Sequence, residues 1–107
     1  MSLVHFTDRD LGKSFPQLLQ SAGVAVERHG DHFPADCPDE TWLAEIGRRG
    51  WVALTRDTRI RYKPNEKAAV IRNSVRLIVV VGKAPISDLA SSFIASRSRI
   101  ERWYPKP

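Results

Sequence analysis

One cysteine, Cys37, stands among the 107 residues. That excludes a disulfide framework and a thiolate metal cage, and it sets the expectation of a reduced, cytoplasmic protein. Long apolar runs are missing too. The longest, Leu77-Ile78-Val79-Val80-Val81, has strand length and falls far short of a membrane span. No basic stretch followed by an apolar one opens the chain, so no signal peptide is expected. Repeats, low-complexity segments and linkers are absent. Hydrophobic residues reach 42%, which excludes a disordered chain. This length supplies one core, so residues 1–107 are expected to form a single domain.

Charge is unevenly spread. Residues 1–47 carry a net −5, residues 48–76 a net +7 and residues 77–107 a net +3. An acidic first half beside a basic second half suits a metal site next to a phosphate-binding surface. A solvated basic face without a partner would give the same totals.

Strand-like and helix-like segments alternate. Residues 3–8 read as a strand. Residues 11–22 read as a helix with Phe15, Leu18, Leu19 and Ala22 on one stripe and Pro16 in its first turn. Gly23 ends it, and a strand at 24–28 and a polar loop with Gly30 and Pro34 follow. A second helix is expected to be capped by Asp36 or Cys37, with Pro38 in its first turn and Trp42, Leu43 and Ile46 inward; Gly50 closes it. Residues 51–56 form a strand, and 57–63 a polar, arginine-rich turn. Pro64 opens a third helix with Ala68, Val70 and Ile71 inward. The most apolar strand spans 75–82. Ser87 caps a last helix whose stripe is Leu89, Phe93, Ile94, Ile100 and Trp103, running into an extended tail.

This βαβαβαβα order predicts a parallel sheet with helices on both faces. Right-handed crossovers and balanced layers favour the strand order 2-1-3-4. Ligands in such sheets sit beyond the carboxyl ends of the strands at the switch point. Here that point falls between strands one and three, which end in Asp8 and Asp57. The helix starting at Asp39-Glu40 leads towards the same edge. Hard oxygen ligands of this kind hold Mg²⁺ or Mn²⁺. Singly, each acid has a plainer account: Asp8 and Asp10 as helix caps, Asp39 and Glu40 as first-turn charges, Asp57 as a turn former. Together, uncompensated carboxylates would repel, and a cation removes that cost. His29 and His32 have ligand-like spacing, but no cysteine joins them, so a zinc site is not expected. Cys37 reads as a small structural residue, and Trp42, Trp51 and Trp103 as core.

Three segments in order carry a resemblance: Phe6-Thr7-Asp8-Arg9-Asp10-Leu11-Gly12, Pro38-Asp39-Glu40-Thr41-Trp42-Leu43, and Arg49-Gly50-Trp51-Val52-Ala53-Leu54-Thr55-Arg56-Asp57. The chain resembles, over about residues 3–82, the compact PIN-like ribonucleases, a group that includes VapC-type toxins of bacterial toxin–antitoxin pairs. The resemblance implies a PIN-like three-layer sandwich and Mg²⁺- or Mn²⁺-dependent endoribonuclease chemistry. It assigns catalysis to Asp8, Glu40 and Asp57, and metal binding to these with Asp39. Thr55, Asp10 and Glu66 would support the site. A fourth acid common in the family is replaced here by Arg59, Arg61 and Lys63. With Arg56 and a stacking Tyr62, these would hold RNA. The resemblance also implies a cognate antitoxin as partner, with a homodimer allowed and no membrane association. Two alternatives stand beside it: a non-catalytic PIN-like module binding RNA or protein, and a phosphoacceptor receiver domain, which needs a fifth strand.

Overall fold

The computed structural model describes residues 3–102. Trp103 and the tail expected at 104–107 lie outside the described residues. Four strands, β1 (Val4–Thr7), β2 (Ala25–Arg28), β3 (Val52–Thr55) and β4 (Arg76–Val79), form one sheet in the order β2-β1-β3-β4. Every pairing is parallel. Helices α1 (Ser14–Ser21), α2 (His29–His32), α3 (Asp39–Arg49), α4 (Pro64–Arg72) and α5 (Ile86–Glu101) connect and cover the strands. Single 3-10 turns, Arg9–Leu11 and Thr58–Arg61, follow β1 and β3.

The two-residue alternation of a strand divides the core. Val52 and Leu54 face α1 and α5, where they meet Phe15, Leu19 and Phe93. Phe6 and Ala53 face α3 and α4, among Trp42, Leu43, Ile46 and Ala69. Central β3 is buried along its whole length, as a strand covered on both faces must be. Edge strand β4 is only half-buried despite its apolar sequence. Phe6 anchors an aromatic cluster, its ring centroid 5.3 Å from that of Trp42 and 5.9 Å from those of His29 and Phe33.

Helix ends follow local chemistry. Pro64 opens α4, where its missing N–H costs nothing. Gly50 closes α3 in the left-handed conformation, φ 71° and ψ 22°. Gly47 lets α3 and α4 touch, because a Cβ there would lie 2.5 Å from the Asn73 carbonyl oxygen.

Several local expectations are corrected. The loop after β2 contains α2, a single turn too short to leave a periodic signal. Pro38 is the N-cap of α3, with ψ 142°, so neither Asp36 nor Cys37 caps it. Pro85 precedes α5 in the same way, which places Ser87 inside the helix rather than at its cap. Leu18 on α1 and Ala22 at its C-cap are exposed; the buried face of the helix is Phe15, Pro16 and Leu19. On α4 the inward residue is Ala69; Ala68 and Ile71 face solvent.

Candidate active site

The carboxyl ends of β1 and β3 lie side by side, and the backbone N–H of Asp8 donates to the Leu54 carbonyl at 2.9 Å. Asp8 and Asp57 each cap the 3-10 turn that follows their strand, accepting from the N–H of Arg9 (2.8 Å) and of Arg59 (2.9 Å). These turns swing Asp10, Arg9 and Arg59 to the rim of an open cavity of about 610 Å³. Asp8, Asp10, Asp39 and Asp57 line it, together with Arg9, Arg56 and Arg59.

Thr55 links the acids. Its hydroxyl lies 2.9 Å from Asp8 Oδ2 and 3.0 Å from Asp10 Oδ2, and its oxygen accepts the Asp57 N–H at 3.1 Å. One hydroxyl carries one proton, so it satisfies only one of the two carboxylates at a time. Burial, and then the charge of Asp10, push the Asp8 carboxyl up to about 6; the bonds from Thr55 and the Arg9 N–H oppose this. Asp10 accepts the Arg56 N–H at 3.0 and 3.1 Å.

Asp57 differs. Its oxygens accept from Arg59 Nε and Lys63 Nζ, both at 3.2 Å. Burial alone would raise its pKa, but the Arg59 N–H and guanidinium and the Lys63 ammonium hold it below the usual range.

Asp39 and Glu40 stand in the first turn of α3 and diverge. Asp39 lines the cavity and accepts the Trp42 indole N–H at 2.9 Å, which ties the site to the core. Glu40 is exposed and does not line the cavity. Glu66 also lies away from it, on α4. Arg56 donates from its side chain to the Gly82 carbonyl at 3.2 Å. Tyr62 is exposed beside the second 3-10 turn. Arg61 contributes its backbone to that turn; its side chain lies outside the described residues.

Sequence reasoning passed over Arg9 and weighed His29 only as a zinc ligand beside His32. Arg9 Nε donates to His29 Nδ1 at 2.9 Å, and its Nη2 donates to the Phe33 carbonyl at 2.8 Å. His29 is buried; burial, and then the Arg9 charge, lower its pKa. It accepts from Arg9, so Nδ1 carries no proton, and the ring is no zinc ligand in partnership with His32, which meets Glu27 at 2.7 Å. The available signal was an arginine set between two acids directly after a strand.

Among the described residues, no three His, Cys, Asp or Glu side chains are disposed to hold a metal ion between them. The donor set is nonetheless hard and anionic, and Asp8 lacks compensation. That suits an ion of the Mg²⁺ kind, which binds through one or two carboxylates and keeps several waters.

A parallel 2-1-3-4 sheet with acids converging beyond β1 and β3 defines a compact α/β architecture with an acidic cleft at the carboxyl edge of its sheet. The chain belongs to the PIN-like family: the family model described as "PIN like domain" matches residues 4–82. It is 31% identical over 103 residues to "Putative ribonuclease VapC45" of Mycobacterium tuberculosis (strain ATCC 25618 / H37Rv), an alignment covering 91% of this chain and 75% of that protein. No solved structure shows a significant match. The receiver-domain alternative ends here, since the described residues contain four strands and the family is a different one. No helix among the described residues is long and apolar enough to cross a membrane.

Proposed function

We propose that the protein is a metal-dependent endoribonuclease acting as the toxin of a toxin–antitoxin pair. The observation that carries this is Asp8: a partly buried carboxylate, raised to about 6, sharing one hydroxyl proton with Asp10 at the mouth of a wide cavity. Perturbed carboxylates set in a cleft cluster at functional sites. The name of the mycobacterial relative, a putative ribonuclease, supports the substrate class, RNA; the toxin role and the cognate antitoxin come with the resemblance to VapC-type toxins.

Asp8, with Asp10 beside it across the Thr55 hydroxyl, would hold the ion, Mg²⁺ or Mn²⁺, through two carboxylates. When bound, the ion supplies a more acidic water and offsets charge on the phosphate oxygens. Asp8 is ionised near neutral pH, so it would present a negative oxygen to the ion. Thr55 orients Asp8 and Asp10 against one another. Arg9 and Arg59 place positive charge on the cavity wall, where a phosphodiester would lie. Asp57 acts through Arg59 and Lys63, fixing the turn that carries them.

A non-catalytic RNA-binding module is the second reading, favoured by the neutralised Asp57. Cleavage of single-stranded RNA with Mg²⁺ or Mn²⁺ decides between them. Wild type is expected to cleave, and chelation or Asp8→Asn to abolish cleavage. Equal activity in folded D8N protein would sink the catalytic reading. Expression alone is expected to arrest bacterial growth, and D8N to relieve the arrest.

A further inference from the structure

A second cavity, of about 190 Å³, opens on the β2 side of Asp8. Its charge is the reverse of the first. Arg9, Lys13 and Arg28 line it, against the single carboxylate of Asp8. Asp8, Arg9 and His29 belong to both cavities, so the two are contiguous.

The geometry points to this cavity as a subsite for a neighbouring phosphate of the RNA chain, so that the strand crosses from the acidic cavity over β1 towards β2. The inference rests on the ribonuclease reading and adds the path of the substrate. Three observations carry it. First, Arg9 is fixed before any ligand arrives. His29 Nδ1 and the Phe33 carbonyl each accept one of its N–H groups, and its guanidinium lies 3.7 Å from where a Gly30 Cβ would stand. A guanidinium has five N–H donors, so others remain for a phosphate at the junction. Second, Lys13 is exposed at the N-terminus of α1, a helix without a side-chain cap. Arg28 ends β2, and among the described residues its ion-pair partner is Asp31, at 3.8 Å. Both cations can turn to a ligand at little cost. Third, on the opposite flank Arg59 and Lys63 are already drawn to Asp57. The basic strip after β3 is thus partly neutralised, and the cations beside β2 are the less committed ones.

The test uses the D8N protein, in which cleavage does not intervene. Binding of a short single-stranded RNA is followed by fluorescence anisotropy over a range of salt. Adding K13A and R28A is expected to weaken binding by about tenfold per cation removed. The slope of log affinity against log salt should flatten by about 0.7 per cation. Adding R99A instead removes an exposed charge from the last turn of α5 and is expected to change neither quantity. If K13A/R28A binds no worse than R99A at equal thermal stability, the subsite is overturned. Should the double variant lose stability, Lys13→Gln alone carries the test, because Lys13 is exposed. The two readings fail separately. A wild type that does not cleave RNA with Mg²⁺ or Mn²⁺ overturns the ribonuclease, whereas a cleaving wild type with a neutral K13A/R28A in D8N overturns only the subsite.

Discussion

Asp8 and Asp57 end neighbouring parallel strands, and each caps a single 3-10 turn, yet their electrostatic surroundings are opposite. Asp8 faces Asp10 across one hydroxyl and is pushed up to about 6 by burial and by that neighbour. Asp57 is gripped by Arg59 and Lys63 and held below the usual carboxylate range. Two residues in equivalent positions thus meet opposite surroundings. The uncompensated acid is suited to a cation and a proton, and the compensated one to holding cations in place. The pair also separates stability from activity, because the two charges enter the folding balance with opposite signs.

The largest expected effect is that of Asp8→Asn. Cleavage should fall by more than about a hundredfold. Stability should move the other way. A carboxyl whose folded pKa is raised contributes most below its unfolded value near 3.8, and this contribution is lost as pH rises through about 6. D8N should therefore melt higher than wild type at pH 7, with the gain vanishing near pH 4. Differential scanning fluorimetry across pH measures it. A D8N protein less stable at pH 7 than at pH 4, relative to wild type, would break the contrast. Mg²⁺ should raise the melting temperature of wild type more at pH 7 than at pH 5, since ligation needs the ionised form.

Asp57→Asn should act more weakly. The asparagine still accepts the Arg59 N–H, so the cap survives. What goes is the pairing with Arg59 and Lys63, worth about 0.5–1 kcal/mol for so exposed a cluster. A depressed folded pKa gives stability above the unfolded value that is lost as pH falls. The D57N deficit should thus be visible at pH 7 and shrink towards pH 3. Activity should drop about tenfold, through loosening of the turn. If D57N is as dead as D8N and also more stable at pH 7, the two aspartates are equivalent after all.

The sheet was legible in the sequence because long-range order left short-range marks. Alternating apolar runs ended in Asp8 and Asp57, Pro64 and Gly50 marked helix ends, and the crossover rules left little choice of strand order. The approach of Asp8 to Thr55 followed from that order. The electrostatic difference between the aspartates did not. Arg59 and Lys63 were read as an outward strip, but the 3-10 turn at Thr58–Arg61 curls both back onto Asp57, two and six residues upstream. The Arg9–His29 clamp spans 20 residues and depends on α2, whose single turn carries no periodicity. Asp39 and Glu40 are adjacent in sequence, and only the tie of Trp42 to Asp39 tells which one turns to the cavity.

Thr55 offers the finest cut, because it serves both aspartates at once. Its hydroxyl donates towards Asp8 and Asp10, and its oxygen accepts the Asp57 N–H. Thr55→Val keeps the shape and removes the oxygen. On the Asp57 side the cost is one N–H without its acceptor, about 1–2 kcal/mol. On the Asp8 side the hydroxyl is one of the groups that lower a pKa already raised by burial and Asp10. Its loss should lift that pKa above about 6, measured by carboxyl-carbon NMR in metal-free protein. The acid limb of the cleavage profile should move to higher pH in step. Thr55→Ser restores the donor and should return both to wild type. An Asp8 pKa unmoved in T55V, with the same loss of stability, would mean that Thr55 serves the Asp57 turn alone and that Asp10 sets the state of Asp8 by itself.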